Sequence, residues 1–222
     1  MSADANEGMR DDIQLRRSIR IVQLLDAAEM AGMIPLAVEQ LHLLAYLSNV
    51  LAQVWELTPI DGKLLKRESG PFYSALQRDL DKLVGAGVVA VTKVAYVREQ
   101  EGKWRLESEY RLNSILAHRI TTRLAAFEAE RRVQLFLNEL AFAMSALASD
   151  ELSASSRADP TYANPVVDVG SVIDFAEWRN VNFTATATRR FERAYPSGVT
   201  PTRAELLHLY ARHLHHRLNA AH

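Results

Sequence analysis

Apolar positions recur along the chain at two periods, and the places where the period changes mark its elements. Leu15, Ile19, Val22 and Leu25 fall at helical spacing, which predicts a helix starting near Asp12, with Gly32 just past its end. Residues 1–11 offer nothing to bury and are expected to be a disordered leader without an apolar signal core. Pro35 suits the first turn of a second helix, whose apolar residues from Leu41 to Val54 run almost all round, as in a central core helix. A short helical piece is expected at Lys63–Arg67. A third helix follows with Phe72, Leu76, Leu80 and Leu83 on one face, closed by Gly85 and Gly87. The period then drops to two. Val88–Glu99 is rich in β-branched residues, and in Trp104–Leu112 the residues Trp104, Leu106, Tyr110 and Leu112 alternate with charged ones, predicting a hairpin with one buried face.

Beyond Asn113 the pattern is helical to about Ser149, but its face changes. Leu116, Ile120, Leu124 and Phe127 share one stripe. Val133, Phe136, Leu140, Met144 and Leu147 share another, rotated by roughly 200° at about 100° per residue. Either the helix breaks near 128–132 or one rod serves two partners. Residues 150–181 read as loop-rich. A short helix from Asn182 with Phe183, Ala187 and Phe191 on one stripe, and a last helix with Leu206, Tyr210, Leu214 and Leu218, complete the chain.

This reading gives a mostly α protein with a small β-hairpin: a leader (1–11), a winged-helix domain with an N-terminal helix (12–113), and a helical domain with one long helix (114–222). Composition narrows the chemistry. Of 222 residues 48% are hydrophobic, the net charge is −1, and cysteine is absent, so disulfides and thiolate sites are excluded and a cytoplasmic location is expected. No run of about 18 apolar residues calls for a bilayer.

In a winged helix the third helix would enter a DNA groove and nearby cations would hold phosphates. The candidates are Lys63, Lys66, Arg67, Arg78 and Lys82, with Lys103 and Arg105 on the wing. Asp79 and Asp81 would repel the backbone, so binding should be weak, nonspecific and salt-sensitive. Candidate partner contacts are Val133, Phe136, Leu140 and Met144, with the cationic cluster Arg189, Arg190 and Arg193. His208, His213, His215 and His216 crowd the last helix, but only His213 and His216 have ligand spacing and no third ligand joins them, so no metal is expected. No phosphate loop, nucleophile elbow or dinucleotide fingerprint is present, and no cofactor is expected.

Two stretches carry a family likeness. One is Asp61-Gly62-Lys63-Leu64-Leu65-Lys66-Arg67, with Gly70-Pro71-Phe72-Tyr73 leading into Leu76–Val84. The other is Asp159-Pro160-Thr161-Tyr162, then Val172-Ile173-Asp174-Phe175 and Asn182. Together they resemble the middle components of bacterial ABC three-component, Lamassu-like, anti-phage defence systems. The likeness is similar in idea to the winged-helix accessory subunits of condensin-like SMC complexes. It implies a non-enzymatic subunit linking an SMC-like ABC ATPase to DNA or an effector. A dimeric winged-helix transcription regulator, with the long helix as its seam, is the other reading.

Overall fold

The computed structural model of the chain describes residues 3–59, 63–98, 104–166, 168–174, 182–193, 195 and 198–220. Within them the protein is mostly α, with two small antiparallel sheets.

Helix α1 spans Ala3–Met30, so the backbone is helical well before Asp12 and the expected disordered leader is corrected from residue 3 onward. Extending a nucleated helix fixes one residue per hydrogen bond gained, and Ala3, Ala5, Glu7 and Met9 are good formers. Gly32 ends α1 at φ +72°, with Met33 N–H returning to the Ala28 carbonyl at 2.9 Å. Pro35 does not open the next helix. Strand β1 (Leu36–Ala37) intervenes, and α2 (Val38–Leu51) follows it. Every residue of α2 from Leu41 to Leu51 is buried, as its all-round apolar pattern demands.

Residues 63–67 form a strand rather than the expected helical piece. Strand β2 (Lys63–Arg67) pairs antiparallel with β3 (Gly70–Phe72) on one side and with β6 (Val172–Asp174) on the other. Its alternation is hidden in the sequence because Lys66 shares the buried face with Leu64. Helix α3 (Ser74–Gly85) then leads through Gly87, at φ +73°, into the hairpin of β4 (Val89–Arg98) and β5 (Trp104–Leu112). The hairpin sheet has the order β1-β5-β4. Its register slips between Val91 and Lys93, leaving a bulge at Thr92. The bulge explains the apolar spacing of β4: Val89 and Val91 before it, and Val94 and Tyr96 after it, all face the same side as Tyr110, Leu106 and Trp104.

The long helical stretch is broken. Helix α4 (Ser114–Leu124) ends where Phe127 N–H returns to the Leu124 carbonyl at 2.9 Å, and α5 (Glu128–Met144) starts afresh. The start of the expected loop at 150–181 is helical as well: α6 (Ser149–Ala158) is opened by Glu151, whose carboxylate accepts from Ala148 N–H at 3.0 Å. Helix α7 (Phe183–Glu192) is capped by Asn182, and α8 (Arg203–Asn219) by a Thr202–Glu205 capping box. The buried face of α7 carries Thr184, Ala185 and Thr188, whereas Phe183 is exposed, so its expected stripe is displaced. One hydrophobic cluster runs from Ile21 on α1 to Leu214 on α8, drawing residues from both sides of the 113/114 boundary.

Candidate functional site

The two stretches that carry the family likeness meet in space. Beyond the β2–β6 pairing, Tyr162 donates its hydroxyl to the Arg67 carbonyl at 2.7 Å and accepts from Arg67 N–H at 3.0 Å. Lys66 is only 8% exposed. Its Nζ donates to the Asn164 carbonyl at 3.1 Å and lies 5.5 Å from the Tyr162 ring centre. Lys66 therefore does not present its charge to a phosphate, which corrects its expected role. Asp61, Gly62 and Phe175 lie outside the described residues.

At the centre of this joint is Asp159, fully buried, which no site motif singled out. One carboxylate oxygen accepts from the Tyr46 hydroxyl and from the N–H groups of Thr161, at 2.9 Å, and Tyr162, at 2.8 Å. The other accepts from the Tyr210 hydroxyl and from the Thr184 hydroxyl at 2.6 Å. A buried carboxylate survives only when its lone pairs are met, and here every donor comes from the chain itself. Burial first, and then the neighbouring carboxylate, push the Tyr46 and Tyr210 phenols well above their usual range, so both stay protonated donors. The knot ties α2, α7 and α8 to the loop after α6. Asp-Pro-Thr-Tyr is the sequence signal for it, but an aspartate beside a Ser-rich stretch reads as solvated.

The α3 face offers little to a groove. Asp79 is buried and accepts from Arg17 Nε on α1 at 2.5 Å, so it does not face DNA as expected. Arg78 and Lys82 are exposed, with Lys82 bonded to Gln14 of α1 at 2.6 Å. Lys63 and Arg67 sit on β2, and Arg67 stacks 3.5 Å from the Phe72 ring centre. Lys103 and the Arg105 side chain lie outside the described residues. His42 is buried and uses both ring nitrogens: Nδ1 accepts from Tyr73 N–H and Nε2 donates to Gln77, each at 3.1 Å. Burial pushes its pKa down to about 4 against the Gln77 hydrogen bond, with Arg67 adding to the fall, so it is neutral and fully partnered.

The other candidates disperse. Phe136, Leu140 and Met144 are interior, packed where α5 meets α1 and α8, and Val133 is half-buried; the stripe is core rather than a free partner surface. Apolar side chains at that density leave water for the nearest helices first. Arg189, Arg190 and Arg193 are exposed at the end of α7, where cations suit the helix dipole, and Arg189 donates to the Gln53 carbonyl at 3.2 Å. His215 pairs with Glu151 at 2.7 Å and His208 approaches Glu139 at 3.9 Å. His213, its pKa lowered by burial, packs on the rings of Phe191 and Tyr210. Among the described residues no group of three or more metal-ligating side chains converges, and no helix is long and apolar enough to cross a membrane.

The hairpin carries large apolar side chains that the body does not cover. Its inner face begins in the core, with Val89, Tyr110 and Leu112 buried, and then runs out past the body. Val94, Tyr96, Trp104 and Leu106, on that same face, are 60, 72, 66 and 50% exposed. Four adjoining large apolar side chains in solvent are unusual for an isolated protein. At the arm's root lies a groove of about 840 Å³ between β5, the first turn of α2, the β2–β3 turn and α6. Compared with protein-family models, with curated proteins and with solved structures, the chain matches none.

Proposed function

We propose that this chain is a non-catalytic winged-helix accessory subunit. In this reading it links an SMC-like ABC ATPase to an effector, with weak DNA contact, in an anti-phage defence complex. The observation that carries the reading is the hairpin arm, whose Val94, Tyr96, Trp104 and Leu106 extend a core face into solvent. The chain order supports it: a helix, β1, α2, α3 and the hairpin β4–β5, with β1 paired on β5, follow the order of a winged helix into which the β2–β3 hairpin is inserted. The likeness to middle components of three-component systems supplies the partner class. The polar groups gathered most densely, around Asp159 and His42, are spent on holding the fold.

The long helix that a dimeric regulator would use as its seam is broken between α4 and α5, and Phe136, Leu140 and Met144 are interior, so that stripe serves neither as a dimer seam nor as the accessory subunit's partner contact. Co-expression with an SMC-like ABC ATPase of a three-component defence system should give one complex on size exclusion. The isolated chain should retard duplexes of any sequence alike, and lose them as salt rises. A footprint at one defined sequence by the isolated chain, together with elution apart from the ATPase, would contradict the reading.

A further inference from the structure

The groove lies along a sheet edge that the fold leaves open. β1 is two residues long and pairs with β5 only at Glu109 and Tyr110. From Trp104 to Ser108, β5 has β4 on one side and no strand on the other among the described residues. The groove is lined by both faces of β5, by Leu106 and Ser108 from one and Glu107 and Glu109 from the other, and it reaches past the end of β1 to the part of β5 that has no strand beside it among the described residues. Its far wall holds Phe72 and the start of α6. An open edge beside a preformed groove is the geometry into which an extended segment adds as a new strand, held by its main chain and selected by alternate side chains.

The charge of the groove selects the guest. Six carboxylates line it against three cations. Lys93 and Glu109 are bonded to each other at 3.1 Å, Gln77 donates to Asp81 at 2.9 Å and Arg67 lies on the Phe72 ring, while Glu68 and Asp150 are exposed on the walls. Directly opposite side chains on neighbouring strands pair most closely. A strand added along β5 in the line of β1 therefore sets one face against Leu106, and its other face meets the exposed carboxylates of Glu68 and Asp150 on the walls. We infer that this groove takes an extended segment of a partner protein, about five residues long at about 3.4 Å each, that alternates apolar and basic side chains and adds as a strand to the open edge of β5. The inference rests on the reading of the chain as a protein-binding subunit and names the chemistry of one of its partners.

The test uses the full chain and three fluorescein-labelled peptides of about seven residues, chosen to overfill the open edge. One alternates lysine and valine, the second is the same peptide N-methylated at every other residue, and the third alternates glutamate and valine. The lysine–valine peptide should bind saturably by anisotropy and slow hydrogen exchange at the amides of residues 105–108. The methylated and glutamate peptides should each bind at least about tenfold more weakly, for loss of main-chain donors and of charge pairing respectively. In the double variant Glu68→Lys, Asp150→Lys, whose sites are both exposed, the preference should shift toward the glutamate peptide. Equal binding of the three peptides, no saturable binding, or binding without protection of β5 overturns strand addition. Those outcomes leave the ATPase interaction untouched, since it is read on the hairpin arm by co-purification. Loss of that interaction with peptide binding intact would instead overturn the accessory-subunit reading alone.

Discussion

Asp159 and His42 show how single residues in this fold turn polar groups into structure. The Asp159 carboxylate accepts from five donors, three of them hydroxyls drawn from α2, α7 and α8. Tyr210→Phe removes one charge-assisted bond and should cost about 1.5–3 kcal/mol in urea unfolding. Asp159→Ala strands the remaining hydroxyls and should cost about 3–5 kcal/mol; an unchanged midpoint in either variant would show the knot to be idle. His42 has a definite pH signature. Its folded pKa is about 4 against an ordinary 6.5, so above pH 6.5 neither state binds the proton and its contribution is complete. Between 6.5 and 4 the unfolded chain takes up a proton that the folded chain refuses, and stability falls by about 3 kcal/mol. Stability measured at steps across that window should fall less steeply in His42→Gln; an identical slope would contradict the assignment.

At the scale of elements, periodicity revealed most where one kind of residue fills one face. The core helix α2, the stripe of α8 and the existence of the hairpin were legible for that reason. Strand β2 was not, because a buried lysine breaks its alternation, and it became recognisable only through Tyr162 and Asn164, about a hundred residues away. Helix α6 hid among serines, two of which, Ser155 and Ser156, are buried. The change of face at 124–133 correctly marked a discontinuity, but burial had to decide what α5 does with its stripe. Leu140 is 0% exposed, so Leu140→Glu should unfold the protein at a cost above about 3 kcal/mol, seen as loss of the cooperative transition in circular dichroism. A Leu140→Glu chain that melts like the wild type would return the stripe to the surface. The Asp79–Arg17 pair joins α3 to α1, and Arg17→Ala, which leaves a buried carboxylate unpaired, should cost about 3 kcal/mol in urea unfolding.

Across the whole molecule, sequence stretches a hundred residues apart close on one another to make a single body, and the polar residues around Asp159 and Lys66 are used in that closure. The hairpin is the exception. Its bulge at Thr92 keeps Val94 and Tyr96 in line with the core face, so the arm extends an interior face that no described residue covers. Burying each large apolar side chain is worth about 1.5–3 kcal/mol, so covering the four on the arm would contribute several kcal/mol to an association. The double variant Tyr96→Glu, Trp104→Glu alters two exposed positions and should leave the melting temperature within a few degrees of wild type. The most direct measurement is co-purification of this variant with a co-expressed SMC-like ABC ATPase of a three-component defence system, against the wild-type chain. The account predicts that the wild type elutes with the ATPase and the folded variant elutes alone; a variant that co-elutes as the wild type does, or a wild type that never co-elutes, would contradict it.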